Sequence, residues 1–449
     1  MNARERLASR LGFLMLAAGC AVGLGNVWRF PFIVGQNGGA AFVLLYIAFL
    51  AILGYPLLVC ELAIGRGARA GIARAIPSLL VSAHRRDRRI RAKARFWRMA
   101  ALAIFGGNLV LMMYYTDVCG WLLRYSADYI SGVAPAAGAA GGHFDAVRAS
   151  KPAALGFASL SIAFATCACA FGVQRGIERM TKFMMLALLA LIGILAVRAV
   201  TLPGAAEGLK FYLYPDWSKI MAHPFRSIYD AMAQAFFTLS LGVGCMTIFG
   251  SYMDNRRTLA TEAVWIISID TLVAFMSGLI IFPACAAYGV EYSQGPGLIF
   301  VALPEVFAKM PFSCVWGALF FVFLALAALT TVVAVFECLI GGLIDETRRS
   351  RPPVAALVGL GVLVASLPCI LGPDKVLDVE DFIVSKLWLP CGALVIGCFA
   401  VNGFGWTWKR FAAAANTGEG LKLGTVSRAV MKYLLPAAIV LVLLFGLVQ

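Results

Sequence analysis

The sequence has 449 residues, of which 61% are hydrophobic and 14% are charged. An ordinary soluble domain is nearer a quarter charged, so this composition excludes a typical globular enzyme and suits a lipid solvent. Most of the 12 cysteines fall within apolar stretches, without CxxC or Cys/His spacing, which argues against both a disulfide scaffold and a structural zinc site.

Apolar runs of about 20 residues, the length needed to cross a bilayer, recur along the whole chain. They predict an all-α integral membrane protein that forms a single domain, 1–449. The runs correspond to about eleven transmembrane helices, at 11–34, 39–64, 97–125, 153–172, 180–201, 227–250, 260–288, 312–345, 353–371, 381–405 and 429–449.

The net charge of +15 raises the question of nucleic-acid binding, but the basic residues lie where membrane topology requires them. With a cytoplasmic N-terminus, the predicted inner segments hold 27 of the 38 lysines and arginines, and the densest cluster is at 84–91. Short cytoplasmic loops carry such an excess of positive charge. We therefore expect the N-terminus inside and the C-terminus outside, with a first span that is not a cleaved signal peptide.

Small residues interrupt two of the predicted spans. The first contains Gly19 to Asn26, and the sixth contains Thr238 to Gly244. These are the opening spans of two sets of five, at 11–201 and 227–405, with an extra helix at 429–449. Interrupted helices at matching places in two halves indicate a central transport site. The alternative is that small residues only allow close helix packing, which a single broken span would favour.

Long stretches of the sequence closely resemble the neurotransmitter:sodium symporter family. The matching motifs include Gly19, the run from Ala21 to Pro31, the triplet Asn37 to Gly39, and the run from Phe236 to Gly242. The resemblance implies a leucine-transporter fold, which is a five-plus-five inverted repeat with unwound first and sixth helices. It also implies a bacterial sodium-dependent amino-acid transporter of the cytoplasmic (inner) membrane, not an enzyme.

The resemblance implies two sodium sites. The first is formed by three carbonyl groups and two hydroxyl groups, those of Gly19, Val22, Ala327, Thr330 and Thr331. Buried threonines also often bond back to their own helix, and the spacing alone leaves both interpretations open. The resemblance favours the sodium site.

The second implied sodium site combines the Ala21 carbonyl with Asn26, Thr238 and Asp270, and is completed by the substrate carboxylate. An acidic residue inside a membrane span is costly enough to indicate function. Relatives that need chloride have asparagine in place of Asp270 and a serine aligned with Ala274. We therefore expect no chloride requirement here, because the carboxylate supplies the negative charge.

The resemblance also implies a substrate pocket between the two broken helices. Gly23 stands where monoamine carriers have an aspartate, and Val243 and Val335 replace bulkier residues of a leucine-selective relative. Both features favour a large neutral or aromatic L-amino acid. The implied lining is Cys20, Ala21, Gly23, Leu111, Tyr115, Phe237, Thr238, Ser240, Val243, Thr331 and Val335. The alternatives are another small zwitterion or osmolyte, a non-transporting sensor and a channel.

Two charge pairs are implied as gates, Arg29 with Asp381 outside and Arg4 with Asp345 inside. Taken singly, each residue is also consistent with an ordinary surface charge, which is the more frequent case for the terminal Arg4. Two further acids within the spans, Glu61 and Glu337, are expected to be paired internally and receive no ligand role. Leu186 stands where many relatives have a proline that helps the fifth span unwind, which puts that sodium-release route in doubt.

Overall fold

The computed structural model describes residues 5–83, 90–291, 297–373 and 375–448. Within these ranges the chain is helical and contains no β-strand, only an isolated bridge between Arg257 and Glu419. Arg4 and most of the basic cluster at 84–91 lie outside the described residues. The all-α class predicted from the apolar runs is thus confirmed, and the assignment of residues 1–449 to a single domain stays a prediction.

The N-terminal half contains ten of the helices that we label here. They are α1 (Arg10–Ala21), α2 (Gly25–Gln36), α3 (Ala40–Ala68), α4 (Ile72–Ala83), α5 (Ile90–Ile130), α6 (Ala140–Ala149), α7 (Lys151–Ala170), α8 (Val173–Val200), α9 (Ala206–Leu213) and α10 (Ser218–Ala222). The remaining helices are α11 (Pro224–Thr238), α12 (Cys245–Tyr252), α13 (Leu259–Tyr288), α14 (Leu303–Lys309), α15 (Ser313–Thr347), α16 (Arg351–Leu371), α17 (Lys375–Val401), α18 (Trp408–Ala415) and α19 (Thr425–Gly446).

Among the described residues, nine helices are long and apolar enough to cross a membrane, and the bent pair α1–α2 makes ten. The predicted number of eleven requires α11 and α12 to count together as one more crossing, and that count stays a prediction. The predicted ends differ by several residues. The third span was expected at 97–125 and runs from Ile90 to Ile130, while the tenth was expected from 381 and begins at Lys375.

Helix α15 lies at the centre of the bundle. In its most apolar stretch 83% of the residues are buried, against 33% in the peripheral α19. A helix that is apolar on all sides belongs in the interior of a large fold. It packs against α1, α5, α7 and α8, and so brings its own polar residues next to the break between α1 and α2.

Both interruptions expected from the sequence are present. Helices α1 and α2 meet at an angle of 55°, with Val22 in an extended conformation between them. The break between α11 and α12 has three residues with positive φ, Ser240 (50°), Gly242 (99°) and Gly244 (76°). A right-handed helix cannot continue through residues with a left-handed backbone conformation. Glycine adopts this conformation without a steric cost. The proposed repeat boundaries at 11–201, 227–405 and 429–449 stay predictions.

Candidate functional site

The two helix breaks lie against each other in the interior of the bundle. The side chain of Ser240 donates a hydrogen bond to the Cys20 carbonyl (3.2 Å), and Gln234 donates one to the Gly25 carbonyl (3.0 Å). Unwound backbone is tolerated at membrane depth only where other groups satisfy it. Each break therefore supplies polar groups that stabilise the other.

A first cluster of oxygen atoms joins α1 to α15. The Thr331 hydroxyl lies 3.4 Å from the Gly19 carbonyl oxygen, 3.3 Å from that of Val22 and 3.3 Å from that of Ala327. Thr330 bonds the Ala327 carbonyl at 2.8 Å. Both interpretations of the threonines therefore have support, since each bonds its own helix while Thr331 also reaches the broken helix. All five residues are buried.

A second polar cluster contains Asn26, Thr238 and Asp270, all of which are completely buried. The Asn26 amide nitrogen donates to Asp270 Oδ1 (2.8 Å) and to the Thr238 hydroxyl (3.1 Å). Thr238 in turn donates to Asp270 Oδ2 (3.0 Å). Asn26 Oδ1 accepts from the Gly23 amide (3.1 Å), and its second lone pair leaves this oxygen able to ligate a cation. The buried Ala21 is the last residue of α1, and the role of its carbonyl as a ligand stays a prediction.

The two clusters suit a hard cation that prefers oxygen. Within the described ranges no ion pair within 4 Å reaches Asp270, although a buried carboxylate ordinarily needs a compensating positive charge. No group of three His, Cys, Asp or Glu residues in the described part of the chain is placed to hold a metal ion. The oxygen atoms of the two clusters come from carbonyl, hydroxyl and amide groups and a single carboxylate, a donor set that fits sodium. The assignment of these residues as sodium ligands stays a prediction.

Gly23 lies between the first cluster and the expected substrate pocket. A Cβ atom at this position would be 2.7 Å from the Thr331 hydroxyl and 2.7 Å from the Tyr115 hydroxyl. The Tyr115 hydroxyl also accepts a hydrogen bond from the Leu24 amide at the start of α2 (3.4 Å). A side chain at this position, such as the aspartate of monoamine carriers, would therefore require both hydroxyl groups to move. Leu111, Val243 and Val335 are buried in the same core, and their role in lining the pocket stays a prediction.

A cavity of about 550 Å³ opens above this region, and Tyr115 and Phe237 form part of its wall. Arg29 and Asp381, the predicted outer gate, also line it. Across the described residues no ion pair within 4 Å joins these two side chains. Instead, the Arg29 guanidinium lies 4.4 Å above the Phe237 ring. The pairing of Arg29 with Asp381 stays a prediction, for a state in which the cavity is closed.

On the opposite side of the bundle, the predicted inner-gate acid Asp345 accepts a hydrogen bond from the Gly71 amide (2.7 Å). Its predicted partner Arg4 lies outside the described residues. Sequence reasoning missed Arg351, which donates to the buried Glu337 at 2.6 Å and 3.1 Å. Glu337 also bonds the Tyr252 hydroxyl. The internal pairing of Glu337 is confirmed, and the arginine at the start of α16 was the available signal for its partner.

Comparisons with known proteins agree on one family. The model of the Sodium:neurotransmitter symporter family matches residues 4–81 and 155–449. An uncharacterized sodium-dependent transporter, YhdH of Bacillus subtilis (strain 168), is 33% identical over 404 residues, covering 87% of this chain and 86% of the relative. The sodium-dependent serotonin transporter of Drosophila melanogaster is 28% identical over 500 residues, covering 99% of this chain and 76% of the relative.

A solved structure gives the same result at the level of the fold. The crystal structure of MhsT in complex with L-phenylalanine has a TM-score of 0.85 and 34% sequence identity to this chain, and the similarity covers 99% of this chain and 100% of MhsT. Both broken helices and the buried oxygen clusters lie within the residues that the family model matches. The chain belongs to the sodium:neurotransmitter symporter family, whose members are membrane transporters and not enzymes.

Proposed function

We propose that this protein is a sodium-coupled symporter that imports large neutral or aromatic L-amino acids by alternating access. One observation carries the proposal. The two unwound segments meet in the interior, and the polar groups on either side of Gly23 form two oxygen clusters. Unwound helices at mid-membrane that present carbonyls and amide ends to one cavity are the expected arrangement for a cation and a zwitterion.

The substrate carboxylate is expected at the start of α2. Free backbone amides at a helix N-terminus attract an anionic group, and the Leu24 amide points to the Tyr115 hydroxyl there. Because Gly23 has no side chain, a carboxylate can approach the backbone, where an aspartate would repel it. The structural relative MhsT was solved with L-phenylalanine, which supports a substrate with an apolar side chain.

Two sodium ions are proposed, one at each oxygen cluster. The first cluster carries no charged side chain. The second cluster contains the Asp270 carboxylate, and the substrate carboxylate would complete its set of ligands. A sodium ion moving down a potential of about 100 mV releases about 2.3 kcal/mol, so two ions could concentrate substrate by roughly three orders of magnitude. Asp270 supplies negative charge at the second site, which supports transport without chloride.

Uptake by purified protein in liposomes tests this proposal. The assay compares labelled leucine, phenylalanine and tryptophan with glycine, a monoamine and an osmolyte, with and without an inward sodium gradient. We expect sodium-dependent uptake of the large amino acids that persists when gluconate replaces chloride. A preference for glycine, a monoamine or an osmolyte overturns the substrate class. Substrate binding without gradient-driven uptake overturns symport and favours a sensor.

A further inference from the structure

The amide of Asn108 lies on the face of α5 that points to the expected substrate pocket. Asn108, Leu111 and Tyr115 are three and seven residues apart along α5, and such positions share one face of a helix. All three residues are buried, and Asn108 has no exposed surface. Polar side chains within membrane spans are rare and usually face the interior of the bundle.

Asn108 bonds to the break between α11 and α12 on both sides of Gly244. Its amide nitrogen donates to the Val243 carbonyl at 2.8 Å, and its amide oxygen accepts from the Cys245 thiol at 3.0 Å. The same nitrogen also donates to Phe105 on its own helix at 3.1 Å. If Asn108 served only its own helix, the bond to Phe105 would be sufficient. The bonds to Val243 and Cys245 instead fix the non-helical turn against α5.

The other described contacts of this turn involve other groups, and the Val243 carbonyl accepts its hydrogen bond from Asn108. The Gly242 amide donates to the buried carboxylate of Glu61 at 2.7 Å. On the opposite side, Gly242 packs against α17 so closely that a Cβ atom would be 2.1 Å from the Leu389 carbonyl oxygen. The Glu61 carboxylate on α3 also accepts from the Gly244 and Met246 amides. Helices α3 and α17 therefore hold the turn on both sides of Val243. The Val243 carbonyl itself, next to the proposed pocket, is held by Asn108.

We propose that Asn108 is a positioning residue that sets the size of the pocket for the substrate side chain, by holding the Val243 carbonyl against α5. This inference rests on the proposed amino-acid transport. Loss of the bond releases the turn that contains Val243, so the pocket no longer has a fixed depth. Discrimination between small and large side chains then weakens, while the oxygen clusters at Asn26 and Thr331 are untouched.

The test compares Asn108→Leu, which is similar in length but cannot donate, with the wild type. Sodium-dependent uptake is measured for valine, leucine, phenylalanine and tryptophan. We expect the ratio of kcat/KM between tryptophan and valine to change by roughly tenfold, a size typical of pocket selectivity. The change should lie in KM, with kcat for the best substrate within about twofold of the wild type.

The matched control is Thr116→Val. Thr116 is completely buried on the same helix, and its hydroxyl bonds only the Met112 carbonyl of that helix among the contacts described. This variant should keep the wild-type ratio.

Asn108→Ser is the second variant if Asn108→Leu does not fold, because the shorter hydroxyl side chain stays polar but does not span the distance to Val243. It should change the ratio in the same direction.

The possible failures can be told apart. If wild-type protein shows no sodium-dependent amino-acid uptake, the proposed function is wrong. If the wild type transports amino acids and a folded Asn108 variant keeps the wild-type ratio, only the positioning role is overturned. An equal loss of kcat/KM for all substrates in the Asn108 variants, without a change of ratio, also overturns it in favour of a purely structural role.

Discussion

Gly23 shows how one missing side chain can define a binding site. Its backbone lies where the Tyr115 and Thr331 hydroxyl groups leave no room for even a methyl group. Both hydroxyl groups lie at the ends of side chains, so an added methyl group would have to displace them from their hydrogen bonds to the Leu24 amide and the Val22 carbonyl. At the scale of single residues, the proposed selectivity for a zwitterion over an amine therefore rests on the missing side chain of Gly23.

We predict that Gly23→Ala abolishes substrate binding, because the new methyl group would lie 2.7 Å from both hydroxyl oxygens. Displacement of labelled amino acid from purified protein measures the effect, which should be at least about a hundredfold. The control is Gly106→Ala, since a Cβ atom at Gly106 would meet nothing within 4 Å. Full binding by Gly23→Ala would show that the pocket lies elsewhere.

Asp270 gives a second prediction at this scale. Asp270→Asn removes the negative charge but keeps the shape, so the sodium concentration for half-maximal binding should rise by about tenfold or more, equal to about 1.4 kcal/mol. Ser268→Ala is the control, because Ser268 is exposed and bonds only the Val264 carbonyl of its own helix in the contacts described. An unchanged sodium response would remove Asp270 from the site.

The residues of the site could be predicted where they belong to a motif of the family. That Asn26, Thr238 and Asp270 form one cluster could be predicted only from the family resemblance, because they are far apart in the sequence. The orientation of the Asn26 amide, with its nitrogen towards Asp270, was not predictable. The sequence names an asparagine but does not show whether the nitrogen or the oxygen of its side-chain amide faces a given neighbour. Asn108 was also missed, because its partner lies 135 positions away and a lone asparagine within a span has no periodic signal.

At the scale of helices, the apolar runs predicted the continuous spans well, because a helix that faces lipid must satisfy its own backbone and so continues across the bilayer. Their ends were less predictable, since helices such as α5 continue into water with polar residues. The short π-helical turns, such as Gly25–Arg29 and Val173–Glu178, have no distinctive amino-acid composition, so the sequence did not predict them. Leu186 is exposed on a continuous α8, as expected without the proline.

The ion pair between α15 and α16 makes a prediction about stability. Glu337→Gln would leave Arg351, only 13% exposed, without its main counter-charge. Breaking a buried pair in this way costs roughly 3–5 kcal/mol, so thermal unfolding in detergent should occur at a clearly lower temperature. Asp254→Asn is the control. It removes an exposed pair with Arg256, which is worth about 0–1 kcal/mol.

The double variant Glu337→Leu with Arg351→Met separates charge from packing. Replacing both members of a buried pair with apolar residues is often neutral or stabilising. It should therefore recover more than half of the loss caused by Glu337→Gln. If the double variant is as unstable as the single one, then the contacts of Arg351 with Glu5 and with the Cys169 carbonyl matter more than the ion pair.

For the molecule as a whole, the distribution of basic residues predicts orientation in the membrane. Alkaline phosphatase fused after α19 should be active in a bacterial host, and green fluorescent protein fused there should be dark, because the first folds only outside the cytoplasm and the second only inside. Fusions in the segment between α7 and α8 should give the opposite result. The reverse pattern would contradict the predicted placement of both termini.

Thr331 has one further consequence, because its hydroxyl lies within 3.4 Å of the Gly19 and Val22 carbonyls and 2.7 Å from the point that a Cβ atom of Gly23 would occupy. In the proposed arrangement this one oxygen atom borders both the first sodium site and the substrate pocket, so occupancy of either changes the free energy of the other. Thermodynamic linkage makes this effect mutual: the factor by which sodium tightens amino-acid binding equals the factor by which the amino acid tightens sodium binding. Coupling between the solutes would then reside in a shared ligand and require no distant relay.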